Sequence, residues 1–448
     1  MNDTICAPAT SPFNSALAVI RLSGLDALNI ISLCFNRSEQ LCGRRAVYGN
    51  FVNPDNNDIV DDVVAVYYKS PASYTGEDVV EISCHGNPII VQKIITIMLR
   101  NGARFSEPGE FTRRAFLNGK MDLTESEAVN KIINAKSDVE IKSALSMMHG
   151  FFKDLINSAK HELITIKADV ECGIDFCEED ISFITNADLL RRVNDLRQSF
   201  VKLHSRCIAG EKISVGLNIP IVGEPNTGKS SLLNFLINKE RAIVSDIPGT
   251  TRDTIIETVQ MDGVHVNLID TAGIRSTVNE IEVIGIRKTF EAIDSADIVF
   301  YVFDVSRTAI DYSIIDDSRF SVILFNKIDL ISDDKFPVYN TNEKQKVVYF
   351  SAKTGKGIES LEQAVSDFIK SNIVDHKNVF ITDARIINLL NDAVEQCDVI
   401  VNSAASNEYS EFIAANINTL IRTLSEITGE VSTDDILDSI FSRFCIGK

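Results

Sequence analysis

The sequence predicts a multidomain α/β protein. An N-terminal α+β domain (1–119) precedes a discontinuous all-α helical domain (120–211 and 376–448), and a parallel-sheet α/β domain (212–375) is inserted within it. Three observations predict this organisation. Short β-branched runs crowd the first part of the chain. Apolar residues at 3/4 spacing, the signature of amphipathic helices, stand on both sides of residues 212–375. Between them, apolar strands alternate with helices and glycine-rich turns, as in a parallel α/β sheet. Such an insertion is tolerated where domain termini lie close together.

Taken in order, ValValAlaValTyrTyr (63–68) and ValValGluIleSerCys (79–84) read as strands, and 88–101 as one helix ending at Asn101-Gly102. Thr124 and Glu127 have capping-box spacing at the start of the helical part. Leu189, Val193, Leu196, Phe200, Leu203 and Cys207 make one apolar stripe on a long helix. Ile387, Leu390, Val394, Cys397 and Val401 predict a second stripe. Ile413, Ile417, Leu420, Leu424 and Ile427 predict a third, stopped by Gly429 as a C-terminal cap.

Composition limits the function classes. The chain has 448 residues, 45% hydrophobic and 24% charged, as a globular protein of roughly two to four domains would have. Its 44 Lys+Arg against 63 Asp+Glu leave a formal charge of -19, which disfavours a general nucleic-acid or anionic-membrane coat but not a local basic groove. Nine scattered cysteines without a C-x-x-C pair suit a reducing cytoplasm rather than a zinc or disulfide framework. The N-terminus carries Asp3 and no basic stretch, so no secretory signal is expected. Gln92 and Lys93 interrupt the apolar run 89–99, and 296–303 is far below the ~20 residues of a spanning helix, so no membrane segment is expected.

The chemistry lies in the inserted domain. Residues 213–222 read as a buried strand leading into Gly-Glu-Pro-Asn-Thr-Gly-Lys-Ser (223–230) and then a helix. This strand, loop and helix order is that of a phosphate-binding loop. Its N–H groups at Asn226, Thr227, Gly228, Lys229, Ser230 and Ser231 converge on phosphate oxygens; Lys229 adds a charge, and the Ser230 hydroxyl is a ligand for Mg²⁺. Asp270, Thr271, Ala272 and Gly273 follow the strand 264–269, where a carboxylate can hold the magnesium shell and the Gly273 N–H can meet a γ-phosphate. Asn326, Lys327, Ile328 and Asp329 follow the strand 321–325, and the Asp329 carboxylate can accept from guanine N1–H and N2–H together, donors that adenine lacks. Ser351, Ala352 and Lys353 end the strand 347–350 and would put a backbone N–H on guanine O6. Each has a plain reading as a turn or helix cap, but their order, each at the carboxyl end of a strand, indicates a guanine-nucleotide domain binding GTP. Gly249, Thr250, Thr251, Arg252 and Asp253 lie where a mobile segment would bring Thr251 to Mg²⁺. Ile274 stands where many GTPases carry the glutamine that orients water. Glu282 could polarise water from farther off; its plainer reading is a solvated helix residue.

Beyond these motifs stand ThrGlyGluAsp (75–78) and AspIleProGlyThrThrArgAsp (246–253), and two highly specific segments, ProGlyGluPheThrArgArgAlaPheLeuAsnGlyLysMetAspLeu (108–123) and PheCysIleGlyLys (444–448). With them the chain resembles the MnmE (TrmE) family of tRNA-modification GTPases over essentially its whole length. The resemblance implies an N-terminal tetrahydrofolate-binding and dimerisation domain, a discontinuous helical domain and an inserted Ras-like P-loop GTPase domain. It implies a cytoplasmic homodimer that uses GTP, Mg²⁺, K⁺ and 5-formyl- or 5,10-methylene-tetrahydrofolate. With an MnmG-like FAD protein, in a heterotetramer, this dimer would add an aminomethyl-type group to C5 of the wobble uridine of tRNA. By matched positions, K⁺ would be held by Asn226 with Ser245, Ile247 and Thr250, while Asp246, Pro248 and Gly249 complete the nucleotide-contacting switch. Glu282 would activate water, Arg21, Glu81, Lys120 and Lys448 would contact folate, and Cys445 is a candidate functional thiol whose plainer reading is a buried side chain. In place of the ProProGlyArgGlyGlyValGly stretch usual in the family, this chain has SerProPheAsnSerAlaLeuAla (11–18), losing glycines and a positive charge near the folate position. The segment between Asp304 and Ser321 is short enough to reduce or remove the helix usually found there. Two rival readings are a ribosome-assembly-type GTPase switch without modification chemistry and a folate-dependent methyltransferase without GTP control.

Overall fold

The structure is a computed structural model that describes residues 3–37, 40–175, 184–240, 256–270, 292–294, 296–307, 309–332, 336–372, 380, 383–406 and 409–448. The chain divides into two compact units. One is Met1–Asn134, Leu145–Phe200 and Leu389–Lys448; the other is Ala135–Ala144 and Val201–Asn388. Among the described residues no helix is long and apolar enough to cross a membrane.

The first unit contains a seven-stranded sheet in the order β3-β4-β5-β6-β2-β1-β7. Its strands are β1 (Thr4–Pro8), β2 (Ser15–Ser23), β3 (Phe35–Arg37), β4 (Ala46–Val52), β5 (Ile59–Tyr68), β6 (Val79–Gly86) and β7 (Ala103–Phe105). Pairing is antiparallel except between β1 and β7. Alternation along β5 sends Val63, Ala65 and Tyr67 into the core and leaves Val64, Val66 and Tyr68 on the other face. The core lies between the sheet and two helices, Ala27–Cys34 and Pro88–Arg100. The second of these is the expected helix, opened by Asn87, whose side chain accepts from the Ile89 N–H, with Pro88 in its first turn. The first was not expected: eight residues are too few for a helical period to stand out, yet Ile30, Ile31 and Cys34 are buried.

The helical part of this unit corrects two sequence expectations. The helix Leu123–Asn134 is capped two residues earlier than Thr124 and Glu127 suggest. Asp122 Oδ1 accepts from the Glu125 N–H and the Thr124 hydroxyl, each at 2.8 Å, and the Glu125 carboxylate accepts from the Asp122 N–H at 2.6 Å. Thr124 and Glu127 are buried instead. On the helix Ala384–Ala405 the buried stripe is Ile386, Leu390, Ala393, Cys397, Ile400 and Ala404. Ile387, Val394 and Val401 are only half-buried, because the helix turns its small alanines inward. The stripes from Leu189 to Cys207 and from Ile413 to Ile427 are buried as expected.

The helix Ser410–Thr428 ends at Gly429, with φ +82°. A Cβ there would lie 2.7 Å from Leu123 Cβ and 3.0 Å from the Phe116 ring. Gly429→Ala is therefore expected to destabilise the protein by about 2–4 kcal/mol, combining left-handed backbone strain with overpacking. Urea unfolding checks this, and an unchanged midpoint would show that the end of this helix adapts. Beyond it, the helix Asp434–Phe441 packs Leu437 and Phe441 with Phe444 and Leu123, returning the chain's end to its N-terminal part.

The second unit contains a six-stranded sheet in the order β13-β12-β11-β8-β10-β9. Its strands are β8 (Leu217–Val222), β9 (Ile256–Met261), β10 (Val264–Asp270), β11 (Val299–Asp304), β12 (Ser321–Asn326) and β13 (Gln345–Tyr349). All pairs are parallel except β9 with β10. The central strand starts later than expected: residues 213–215 complete the helix Asn186–Val215, and Gly216, at φ +93°, breaks it before β8. β8 lies between β10 and β11, so the chain departs to both sides of it, the crevice where open α/β sheets bind ligands. Among the described residues between Asp304 and Ser321 there are turns and no helix, and Tyr312 packs on Phe303 and Phe325 there.

Candidate functional site

The loop from Gly223 to Gly228 joins β8 to the helix Lys229–Glu240. For such a loop to present its N–H groups to an anion, its carbonyls must point away and be satisfied there. In this chain side chains do so for five consecutive residues. Lys229 Nζ donates to the carbonyls of Gly223 (2.8 Å) and Glu224 (2.7 Å), and the Thr227 hydroxyl donates to the latter at 2.9 Å. Arg307 donates to the Pro225 carbonyl at 2.9 Å, Lys327 Nζ to that of Asn226 at 2.9 Å, and Asn326 Nδ2 to that of Thr227 at 2.8 Å. Asn226 sits at φ +65°, a left-handed conformation that asparagine tolerates. Gly228, at φ +98°, has no room for a side chain, since a Cβ would overlap the Asn326 amide.

The base-facing side is built by register. β11 and β12 align Asp304 with Asn326, so Lys327 Nζ reaches Asp304 Oδ2 at 2.6 Å while it holds Asn226. Burial pushes the Asp304 carboxyl up, but the hydrogen bonds from Lys327 and Ser306 outweigh it and hold the group below the usual range. Asp304 thus stays charged and anchors the lysine. Asn326 Oδ1 accepts from the N–H groups of Lys327 (2.8 Å) and Ala352 (3.0 Å). The Ser351 hydroxyl donates to Asp329 Oδ1 at 2.6 Å, orienting an otherwise exposed carboxylate that begins, with Ile328, a short 3₁₀ turn. Lys353 is exposed beside it. On the phosphate side, Ser230 Oγ faces Asp270 Oδ2 at 3.3 Å, a hydroxyl and a carboxylate suited to a divalent cation and its water shell; Ser231 is exposed on the same helical turn.

The structure therefore brings together Asn226, Thr227, Gly228, Lys229, Ser230, Asp270, Asn326, Lys327, Asp329, Ser351 and Ala352. Ser245, Asp246, Ile247, Pro248, Gly249, Thr250, Thr251, Thr271, Ala272, Gly273 and Glu282 lie outside the described residues. Sequence reasoning missed Asp304 and Arg307. An acid at the end of the apolar run 299–303 was a signal for the first; nothing marked the second.

A second cluster lies in the first unit. β2 and β6 pair Arg21 with Glu81, and Arg21 Nε and Nη2 donate to Glu81 Oε1 at 3.0 and 2.8 Å. Arg21 also donates to the Gly447 carbonyl at 3.3 Å and lies over the Tyr74 and Phe111 rings. Burial and the nearby Arg21 charge lower the pKa of Lys448. Lys120 Nζ donates to the Pro71 carbonyl at 3.0 Å, and its stem packs near Gly76. Cys445 is exposed, unlike Phe444 beside it. Across the 11–18 segment, Ser15 to Ala18 already belong to β2, and Phe13 and Leu17 are exposed.

The chain matches two family descriptions: "GTP-binding protein TrmE N-terminus" over residues 4–120 and "MnmE helical domain" over 123–445. Curated relatives called tRNA modification GTPase MnmE align along the whole of both chains. Those of Thermotoga petrophila and Aquifex aeolicus are 38% identical to it, and that of Clostridioides difficile is 37% identical.

Proposed function

The chain belongs to the MnmE family of tRNA modification GTPases, and from that premise we propose that it is a K⁺-dependent GTPase acting on the wobble uridine of tRNA. The observation that carries the nucleotide reading is the five-carbonyl arrangement of the 223–227 loop beside a fixed Asp329 carboxylate. The loop offers its N–H groups to phosphate, while Asp329 supplies paired acceptors for guanine. Ser230 and Asp270 suit Mg²⁺, directly and through water; Thr251 would complete its shell. Asn226, Ser245, Ile247 and Thr250 would hold K⁺. Bound there, the two cations would neutralise charge developing on the phosphates.

The remaining parts of the proposal follow the family. The protein is a cytoplasmic homodimer formed through its N-terminal domain. With an MnmG-like FAD protein it installs an aminomethyl-type group at C5 of wobble uridine. A 5-formyl- or 5,10-methylene-tetrahydrofolate supplies the carbon, and GTP hydrolysis drives G-domain dimerisation and rearrangement. The domain limits 1–119, 120–211 with 376–448, and 212–375 are proposed on the same basis. Mass spectrometry of wobble nucleosides from depleted cells tests the reading: their modification should be lost. Intact nucleosides with defective ribosomes would favour an assembly switch instead.

Folate recognition has its own test. Glu81 can accept from pterin N–H donors only while Arg21 holds it, and Lys120 and Lys448 supply positive charge for the carboxylates. Arg21→Ala is expected to weaken 5-formyl-tetrahydrofolate binding to the dimer by roughly 10–100-fold in calorimetry, the range for losing a charge-assisted hydrogen-bond set. A wild-type protein that binds no folate removes this part of the proposal.

A further inference from the structure

Four of the five carbonyls turned away from the phosphate side are served by Lys229, Thr227, Asn326 and Lys327, all residues of the nucleotide motifs themselves. The fifth, that of Pro225, is served from outside them. Arg307 stands three residues beyond the end of β11; its Nη2 donates to Pro225 O at 2.9 Å, and its Nη1 donates to the Glu224 carboxylate. Its Nε lies 4.0 Å from Asp304 Oδ2, the same oxygen that Lys327 holds. We propose that Arg307 is a positioning residue for the nucleotide, a strap that fixes the Pro225–Asn226 peptide so that its N–H faces the phosphates.

The location makes the strap consequential. Proline has no N–H, so no N–H-side hydrogen bond at Pro225 can orient the chain, and this part of the loop must be set from the carbonyl side. The next residue, Asn226, is held in the left-handed region, where a small rotation of the preceding peptide would redirect its N–H. Lys327 restrains Asn226 while bonded to Asp304 Oδ2, and Arg307, which restrains Pro225, has its Nε 4.0 Å from the same oxygen. The planar guanidinium serves the Pro225 carbonyl and the Glu224 carboxylate through two different nitrogens. The ion pair with Glu224 is half-exposed and is itself a weak contributor. The bond to the carbonyl is the part that acts.

This inference rests on the assignment of the loop to GTP, and the experiment separates the two. GTP and GDP affinity and steady-state GTPase kinetics are measured on the full chain for the wild type, Arg307→Ala, Arg307→Lys and the exchange Glu224→Arg with Arg307→Glu. Thermal unfolding without nucleotide checks the fold. Arg307→Ala is expected to raise KM for GTP and the nucleotide dissociation constants about tenfold, with kcat within about twofold. Arg307→Lys should recover part of that loss. The exchange should not, because it restores opposite charges but leaves Pro225 without a donor. If Arg307→Ala binds nucleotide as the wild type does, or if the exchange restores full affinity, the strap is wrong while the GTP site stands. A wild type that binds no guanine nucleotide would overturn the site assignment instead.

Discussion

Asp329→Asn is expected to lower GTP affinity by roughly 10⁴-fold or more and to confer binding of xanthosine triphosphate. In the proposed site the carboxylate would accept two N–H groups of guanine at once, whereas an asparagine offers one acceptor and one donor. The mismatch leaves a donor facing a donor, and sites built on substrate hydrogen bonds reject such partners by up to roughly 10⁴–10⁵. Xanthine presents one N–H and one carbonyl at the same edge, which suits the amide. Ser351 contributes by fixing Asp329 Oδ1 at 2.6 Å, and its hydroxyl can turn to serve either amide orientation, so the fold should tolerate the change. Fluorescent GTP and xanthosine triphosphate titrations decide the matter. Equal GTP affinity in the two proteins would place the base somewhere other than the edge of β12.

How much of this was legible before folding depended on the range of each interaction. The phosphate loop, NKID and SAK could be read because each is a short stretch whose geometry follows from a strand end and its next residues. The stripes from Leu189 and from Ile413 were equally local, and both are buried. The Ala384–Ala405 stripe was half misread because large side chains drew attention while the helix buries Ala393 and Ala404. The capping box was displaced because Asp122 and Glu125 have the same spacing as Thr124 and Glu127, and only the backbone shows which pair closes. Arg307 was invisible for a different reason. Its partners Glu224 and Pro225 are 82–83 residues away, and they meet only because β11 lies beside β8 in the sheet. Arg21 and Gly447 meet across 426 residues, and only the family pattern could single out both chain ends.

Exchanging K⁺ for Na⁺ is expected to lower kcat on the order of 10³-fold while leaving KM for GTP within a few-fold, since arginine fingers, the alternative source of charge, contribute roughly 10³–10⁵. Ile274 replaces the glutamine found in many GTPases, so water and charge must be managed by other groups. In the proposed mechanism Asn226 is one of these groups. Its main chain is fixed through the Lys327 bond to its carbonyl and through the strapped peptide before it, which leaves the side-chain amide to serve as an ion ligand. A monovalent cation held there with Ser245, Ile247 and Thr250 would take the position of an arginine finger between the β- and γ-phosphates. Na⁺, being smaller, would need shorter oxygen distances than the proposed ligand set, suited to K⁺, would supply. Asn226→Ala should abolish the difference between the two ions. Asn226→Gly should do the same without strain at φ +65°, separating loss of the ligand from distortion of the loop. Glu282→Ala should slow hydrolysis in K⁺ while nucleotide binding survives, because the role proposed for Glu282 is to act on water and not on the phosphates. Turnover that is equally fast in Na⁺ and K⁺ would show that the ion-finger mechanism is wrong for this chain, while its family membership stands.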